Sequence, residues 1–484
     1  MAKLKQQVVS GFLWTAGEKF GSMILKFIVG LVLLAHLTPD DYALVAILTV
    51  FVLISGLLVD GGFGLALIQA KNVTEKDYTS VFYLNIALAT LLYLLLLCLL
   101  GFLVWFYDSP EIYTLGPWLF AQGIIMSLGF VQRAKLSREM RFDVLSKMYI
   151  IANVVSSGVA LGMILTGFGI WSIVGQRLSY AVAHTASLWI MAPWRPHGKF
   201  ALDSIKRLFR FGSNMLYTGL LTQVFSKLTE LVIPKVGNVS QLGLYNKTLS
   251  LKDEVANTIQ LSIVNVTFPA FSSLQSEDEK LKLALRKVIS VISLILFPVM
   301  GGLITTSPEF FHLLLNENWW PGIPYFQLFC VSAFFTPLIY LTLNIIKAKG
   351  ASRTVLKLEI IKKSFLLATV AVTANINVIA MVYGYVVWMA FEMAANVIVS
   401  QRFIKYSFLE IARDSLPYLG MTVIMTACVA GVGLLLPNMH LWPLLAVKII
   451  VGITVYLGMN LFFRLSAFQD AMEISKNLFK KRDK

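Results

Sequence analysis

The sequence predicts an all-α polytopic membrane protein of about 14 transmembrane helices, arranged as two pseudo-symmetric six-helix lobes and a terminal pair. Composition is the first reason: 57% of the 484 residues are hydrophobic and 14% are charged, against about 25% charged in soluble domains. The apolar residues also fall in blocks of roughly 20, enough for a helix to cross about 30 Å of hydrocarbon with every backbone hydrogen bond satisfied internally. Finally, the connections between blocks alternate between basic and non-basic, as a multi-pass chain requires.

Hydropathy places the first lobe's spans near 9–36, 42–69, 79–106, 113–133, 144–166 and 169–193. The stretch 80–106, SVFYLNIALATLLYLLLLCLLGFLVWF, is apolar on every face, which excludes a transmembrane β-barrel with its alternating polarity. The second lobe's spans lie near 204–232, 240–272, 284–306, 322–346, 355–374 and 377–401, and the terminal pair near 416–436 and 442–465. Gly11 in SGFLW aligns with Gly212 in RFGSN, and Ala43-Leu44 of DDYALVA with Gly243-Leu244 of SQLGLYN, an offset near 200 residues. An even number of spans per repeat gives both repeats one orientation, related by an axis along the membrane normal with a substrate site between them. The expected division is therefore 1–200 for the N-terminal lobe, 201–405 for the C-terminal lobe, and 406–484 for the last two spans and a basic tail.

Thirty Lys and Arg fall in the termini, in every second connection or at the span ends beside it, whereas Lys235 stands alone on the opposite side. The positive-inside rule then puts both termini in the cytoplasm. The N-terminal MAKLKQQVVSGFLWTAGEKF has no signal-peptide pattern, since Glu18 and Lys19 interrupt its apolar run, so the first span is expected to be retained. A formal charge of +15 is thus read as topology and not as a nucleic-acid surface. Cys98, Cys330 and Cys428 all lie inside apolar spans, leaving neither a disulfide framework nor a thiolate metal site, and no cofactor is expected.

Enzyme signatures are missing. There is no GxxxxGK[ST] phosphate loop, HExxH, GxSxG elbow or GxGxxG after a strand, and the longest outer connection, near 307–321, cannot house a catalytic domain. The chain reads as a transporter. Ionisable residues inside spans are costly in hydrocarbon and usually face a bundle interior or a watery cavity. In span one, Thr15, Glu18, Lys19, Ser22 and Lys26 share one helical stripe. Span seven repeats it with Asn214, Thr218, Thr222, Ser226 and Glu230, beside Gln223 and Lys227. Span eight aligns Lys247, Ser250, Glu254 and Asn257, with Lys252 and Asp253 adjacent, and span two meets Asp60-Gly61-Gly62, where glycines permit a kink. Each pair could instead be an internal ion pair such as Lys227 with Glu230, yet four matched stripes together call for a shared aqueous space. Lys362, Lys363 and Lys448 are expected to snorkel or pair singly, and Arg464 closes the last span. Lysines in a cavity suit phosphate or carboxylate.

The motifs GFLWTAGEKF, LTPDDYALVAI, GGFGLALIQ, QRAKLSREMRF, FGSNML and LGLYNKT give the chain a family likeness. It resembles the polysaccharide transport family of the multidrug/oligosaccharidyl-lipid/polysaccharide exporter superfamily, in particular the colanic-acid and lipopolysaccharide exporters. The resemblance implies a flippase that carries undecaprenyl-diphosphate-linked oligosaccharide across the bacterial inner membrane by alternating access, for capsule, exopolysaccharide or O-antigen. It implies membrane lipids as surroundings, a polysaccharide polymerase and chain-length machinery as partners, and no nucleic acid. Diphosphate contacts are then expected from Lys19, Lys26, Arg177, Lys227, Lys247 and Lys252, and coupling or cavity carboxylates from Glu18, Asp60, Glu230, Asp253 and Glu254. Two other readings stay open: a cation-coupled multidrug antiporter of the same superfamily, and an integral-membrane polymerase or glycosyltransferase.

Overall fold

The computed structural model describes residues 2–70, 72–273, 277–349, 351–463, 465, 468 and 469. Arg464 and the basic tail lie outside them, as do the side chains of Thr15, Lys19, Asn214 and Thr218. The described residues are helical at every stretch read as a span and contain no strand. The chain is a multi-pass membrane protein. Eight described helices are long and apolar enough to cross a bilayer, nine if a pair bent by 43° counts as one. The charged stripes of spans seven and eight keep those helices from being uniformly apolar.

The chain gathers into two compact units, Met1–Gly243 and Leu244–Lys484. The first contains α1 (Ala2–His36), α2 (Pro39–Asp60), α3 (Phe63–Gln69), α4 (Glu75–Tyr107), α5 (Glu111–Ser127), α6 (Phe130–Arg138), α7 (Phe142–Leu165), α8 (Trp171–Met191), α9 (Leu202–Val236) and the start of α10 (Val239–Ser273). Thr38 and Asp41 form a capping box that, with Pro39, sets the start of α2, and Thr74 with Asp77 does the same for α4. Span two breaks where the sequence suggests: Gly61 and Gly62 take left-handed φ of 54° and 75°, separating α2 from α3. Here the backbones of Gly62 and Gly212 touch, so a Cβ on either would strike the other's peptide. Gly243 meets the backbone of Pro39 in the same way. Gly62 and Gly212 must be glycine because α9 packs directly on α2 and α3, and Gly243 because the start of α10 touches the start of α2. Asp77 also holds both its oxygens 2.6 Å from the Arg207 guanidinium, tying the starts of α4 and α9 together.

Span four breaks as well, between α5 and α6 at Leu128-Gly129. A break in hydrocarbon frees carbonyls that need donors. Helix α8 supplies them: Thr185 Oγ1 donates to Ile125 O at 2.9 Å and Trp189 Nε1 to Leu128 O at 3.0 Å. Beneath the break, Phe63, Tyr78, Phe82, Phe130 and Trp194 form a buried core.

The second unit holds the rest of α10, α11 (Asp278–Leu314), α12 (Ile323–Ala333), α13 (Thr336–Ala348), α14 (Ser352–Thr373), α15 (Val378–Ser400), α16 (Phe408–Leu435) and α17 (Leu441–Phe463). Pro298 and Pro308 lie inside α11, and each leaves the carbonyl four residues earlier without its helical donor. Tyr456 of α17 donates to Leu294 O at 3.0 Å, and Gln327 of α12 to Ile304 O at 3.1 Å. At the other end of α11, Arg286 clasps Asp414 through two 2.7 Å bonds, and the Tyr406 hydroxyl adds a third. Burial and that bond to Asp414 raise the Tyr406 phenol above its usual pKa.

Candidate functional site

The first unit forms a partly open cavity of about 450 Å³ bordered by α2, α4, α5, α6, α8 and α9. Its walls are partly apolar, from Tyr93, Phe120, Met126 and Phe130, and partly polar, from Asp60, Gln122, Arg133, His184 and Gln223. The helix breaks put the charges there. Asp60 is the last residue of α2, and its Oδ1 accepts the Gly64 N–H of α3 at 2.9 Å. Arg133 sits on α6, just past the break, with its guanidinium 5.6 Å from the Phe130 ring centre. Its backbone N–H donates to Gly129 O at 3.1 Å, while among the described residues its guanidinium makes no hydrogen bond or ion pair.

His184 is 2% exposed and packs against two tyrosines, Tyr149 with ring centres 5.3 Å apart and Tyr180 at 5.9 Å. Neither of its ring nitrogens has a partner among the described residues, and neither does the buried Oε1 of Gln122. A buried polar group left unpaired costs about 1–3 kcal/mol. Two such side chains, one on α8 and one on α5, border the cavity.

The sequence-predicted residues divide by unit. Glu18 accepts a bond from Ser22 at 3.1 Å, and Asn153 of α7 donates to Ser22 at 2.9 Å, so Ser22 of the span-one stripe meets α7. Asp60 lines the cavity. Lys26 is exposed, Arg177 is half-buried two turns before His184 on α8, and the Lys19 side chain lies outside the described residues. Lys227 pairs with Glu230 at 2.5 Å, the i, i+3 pair that the spacing allows.

In the second unit, Lys252 is 1% exposed, 2.6 Å from Asp253 and 5.8 Å from the centre of the Tyr385 ring. Lys247 and Glu254 lie two turns apart on α10, both half-buried. Lys362 is fully buried between Glu359, at 2.5 Å, and Glu392, at 2.8 Å. Lys448 meets Glu309 at 2.5 Å. Lys448 thus forms a single ion pair, one of the two arrangements expected, whereas Lys362 is shared by two carboxylates. The described residues hold no group of acidic, His or Cys side chains able to bind a metal.

Arg133, His184 and Gln122 were not anticipated. Arg133 belongs to QRAKLSREMRF, which reads as a basic connection, and only the break at Gly129 turns it back into the bundle. The signal available was the glycine in SLGFVQR together with a glutamine-bearing apolar span.

A profile of the family described as polysaccharide biosynthesis protein matches residues 33–324. The teichuronic acid biosynthesis protein TuaB of Bacillus subtilis is 23% identical over 352 residues, 72% of this chain and 73% of TuaB. The lipopolysaccharide biosynthesis protein WzxC of Escherichia coli is 24% identical over 332 residues, 68% of this chain and 67% of WzxC. Among solved structures, the lipid II flippase MurJ in an inward closed conformation is similar in fold, with a TM-score of 0.72 at 13% identity over 94% of this chain and 99% of MurJ. An inward-facing multidrug resistance MATE transporter reaches 0.59 at 16% identity, over 80% of this chain and 96% of its own.

Proposed function

The chain belongs to the polysaccharide biosynthesis protein family, and from that premise we propose that it is a flippase for lipid-linked oligosaccharide, moving undecaprenyl-diphosphate-linked glycan across the bacterial inner membrane. The observation that carries this reading is the cavity of the first unit, where Arg133, His184, Gln122 and Asp60 converge inside an apolar bundle. A lipid-facing pump for simple apolar cargo has no use for unpaired polar groups there, whereas a sugar headgroup does.

In this proposal the chain crosses the membrane fourteen times, with both termini in the cytoplasm, and two six-span lobes, 1–200 and 201–405, rock about the substrate. Residues 406–484 add the last two spans and tail. Lys19, Lys26, Arg177, Lys227, Lys247 and Lys252 neutralise the diphosphate as it passes. Lys227 and Lys252 are held by Glu230 and Asp253 until substrate arrives. Glu18, Asp60 and Glu254 complete the polar lining. The chain performs no covalent chemistry and hands its cargo to a polymerase with its chain-length machinery.

The test is translocation in proteoliposomes loaded with a fluorescent polyprenyl-diphosphate-linked oligosaccharide, followed by access of an external lectin to the sugar. The chain should accelerate appearance of the sugar on the far leaflet, and Lys26→Glu or Lys227→Glu should abolish it while membrane insertion survives. No acceleration over empty vesicles would end the flippase reading. Export of drug cations by the same vesicles would replace it with an antiporter.

A further inference from the structure

We propose that the cavity of the first unit is built for an acidic monosaccharide of the glycan, its carboxylate on Arg133 and its hydroxyls on His184 and Gln122. This rests on the flippase reading and adds which part of the cargo sits where. Charge gives the first argument. The cavity is lined by one guanidinium, Arg133, and one carboxylate, Asp60. The site accommodates a singly charged carboxylate. A diphosphate carries more negative charge and would meet Asp60 with only Arg133 in compensation.

Hydrogen bonding is the second argument. Neutral imidazole offers one donor and one acceptor, and an amide adds a carbonyl acceptor. The unpartnered atoms are the two nitrogens of His184 and Oε1 of Gln122. A sugar hydroxyl both donates and accepts, so ring hydroxyls match that set, whereas a diphosphate has no proton to give the Gln122 oxygen. Tyr149 and Tyr180 pack against the His184 ring, their centres 5.3 and 5.9 Å away, and restrict its movement.

Size and lining are the third. Tyr93, Phe120 and Phe130 make the border partly apolar, which suits the C–H groups of a pyranose, and about 450 Å³ lies in the range of roughly 300–1,000 Å³ usual for small-molecule sites. Arg133 resting on Phe130 is oriented by that ring and still has its N–H groups free for a carboxylate.

The probes are glucuronate, its neutral counterpart glucose, and undecaprenyl diphosphate carrying no sugar. Binding is measured on the full chain in nanodiscs by isothermal titration, for wild type, Arg133→Gln, Arg133→Lys and His184→Phe. Glucuronate should bind more tightly than glucose. Arg133→Gln should weaken glucuronate at least tenfold and leave glucose unchanged, Arg133→Lys should recover part of the loss, and His184→Phe should weaken both sugars.

A second measurement leaves Arg133 intact. A Cβ at Gly123 has nothing within 4 Å, and Gly123 borders the cavity, so Gly123→Cys places a thiol there without crowding. In a background with Cys98, Cys330 and Cys428 replaced by alanine, glucuronate should slow maleimide labelling of that thiol severalfold more than glucose does. Equal protection by the two sugars, no protection by either, or protection by sugar-free undecaprenyl diphosphate as strong as by glucuronate would each overturn the assignment. Translocation of a neutral lipid-linked glycan with any of those outcomes would leave the flippase reading standing. Absence of translocation with glucuronate protection intact would overturn that reading alone.

Discussion

Replacing Lys448 by methionine tests whether the charges buried in the second unit hold the helices or serve transport. Lys448 lies seven residues into α17, about 10 Å along its axis. Its ammonium is 2.5 Å from Glu309 Oε1, and the two side chains are 7% and 9% exposed. Among the described residues Glu309 Oε2 has no other partner, so the lysine is what compensates this carboxylate. Removing one member of such a pair costs about 3–5 kcal/mol, while exchanging both for apolar residues of similar volume is close to neutral. Lys448→Met and Glu309→Leu should therefore each destabilise by about 3 kcal/mol or more, and the double variant by about zero. The departure from additivity reaches about 6 kcal/mol, far above the few tenths expected of independent sites.

At roughly 2–4 °C per kcal/mol for a unit of this size, each single change should lower the melting midpoint by at least about 6 °C. Tryptophan fluorescence in detergent, scanned at one fixed rate because unfolding of such proteins is rarely reversible, reads the shift. A double variant as unstable as the singles would refute the reasoning. So would full stability of Lys448→Met with loss of translocation.

Other changes follow the same logic. Gly212→Ala should destabilise by about 1–3 kcal/mol through collision with the Gly62 peptide, while Gly219→Ala, whose Cβ would meet only Leu57 at 3.6 Å, should melt like wild type. Lys362→Met should cost about 3–5 kcal/mol because two glutamates lose their cation, and Lys363→Met, where the ammonium only lies 5.4 Å from the Trp388 ring centre, should cost under 1 kcal/mol; thermal melting separates them. Tyr456→Phe should lower stability by about 1 kcal/mol by stranding Leu294 O, and the loss should vanish in a Pro298→Ala background, where the residue 298 amide can donate to that carbonyl; a double-mutant cycle measures the coupling.

Much of the architecture can be read from the chain because its causes are local. Blocks of apolar residues long enough for a bilayer become helices, Gly61-Gly62 becomes a break, and Lys227 finds Glu230 one turn away. What escapes such reading depends on partners distant in sequence. Lys448 and Glu309 are separated by 139 positions, and nothing near either residue names the other. Gly212 lines up with Gly11 as a repeat landmark, yet its need for glycine comes from Gly62 across a helix interface. Arg133 was obscured for a different reason. Counting basic residues by connection works only where a helix ends, and α5 bends into α6 instead of ending. A histidine in an apolar span gives no hint of being unpartnered until its neighbours are known.

The break after Leu128 makes α8 a ruler for the site. Trp189 and Thr185 cap the carbonyls that the break exposes and so fix where α6 begins, while His184, one residue earlier on the same helix, faces the cavity. The spacing between the arginine and the imidazole is thus set by consecutive turns of one helix. Retuning which sugar the protein accepts need not touch the cavity wall: a change at Trp189 that slides the start of α6 would alter the span between the two groups, and with it the size of ring they can hold.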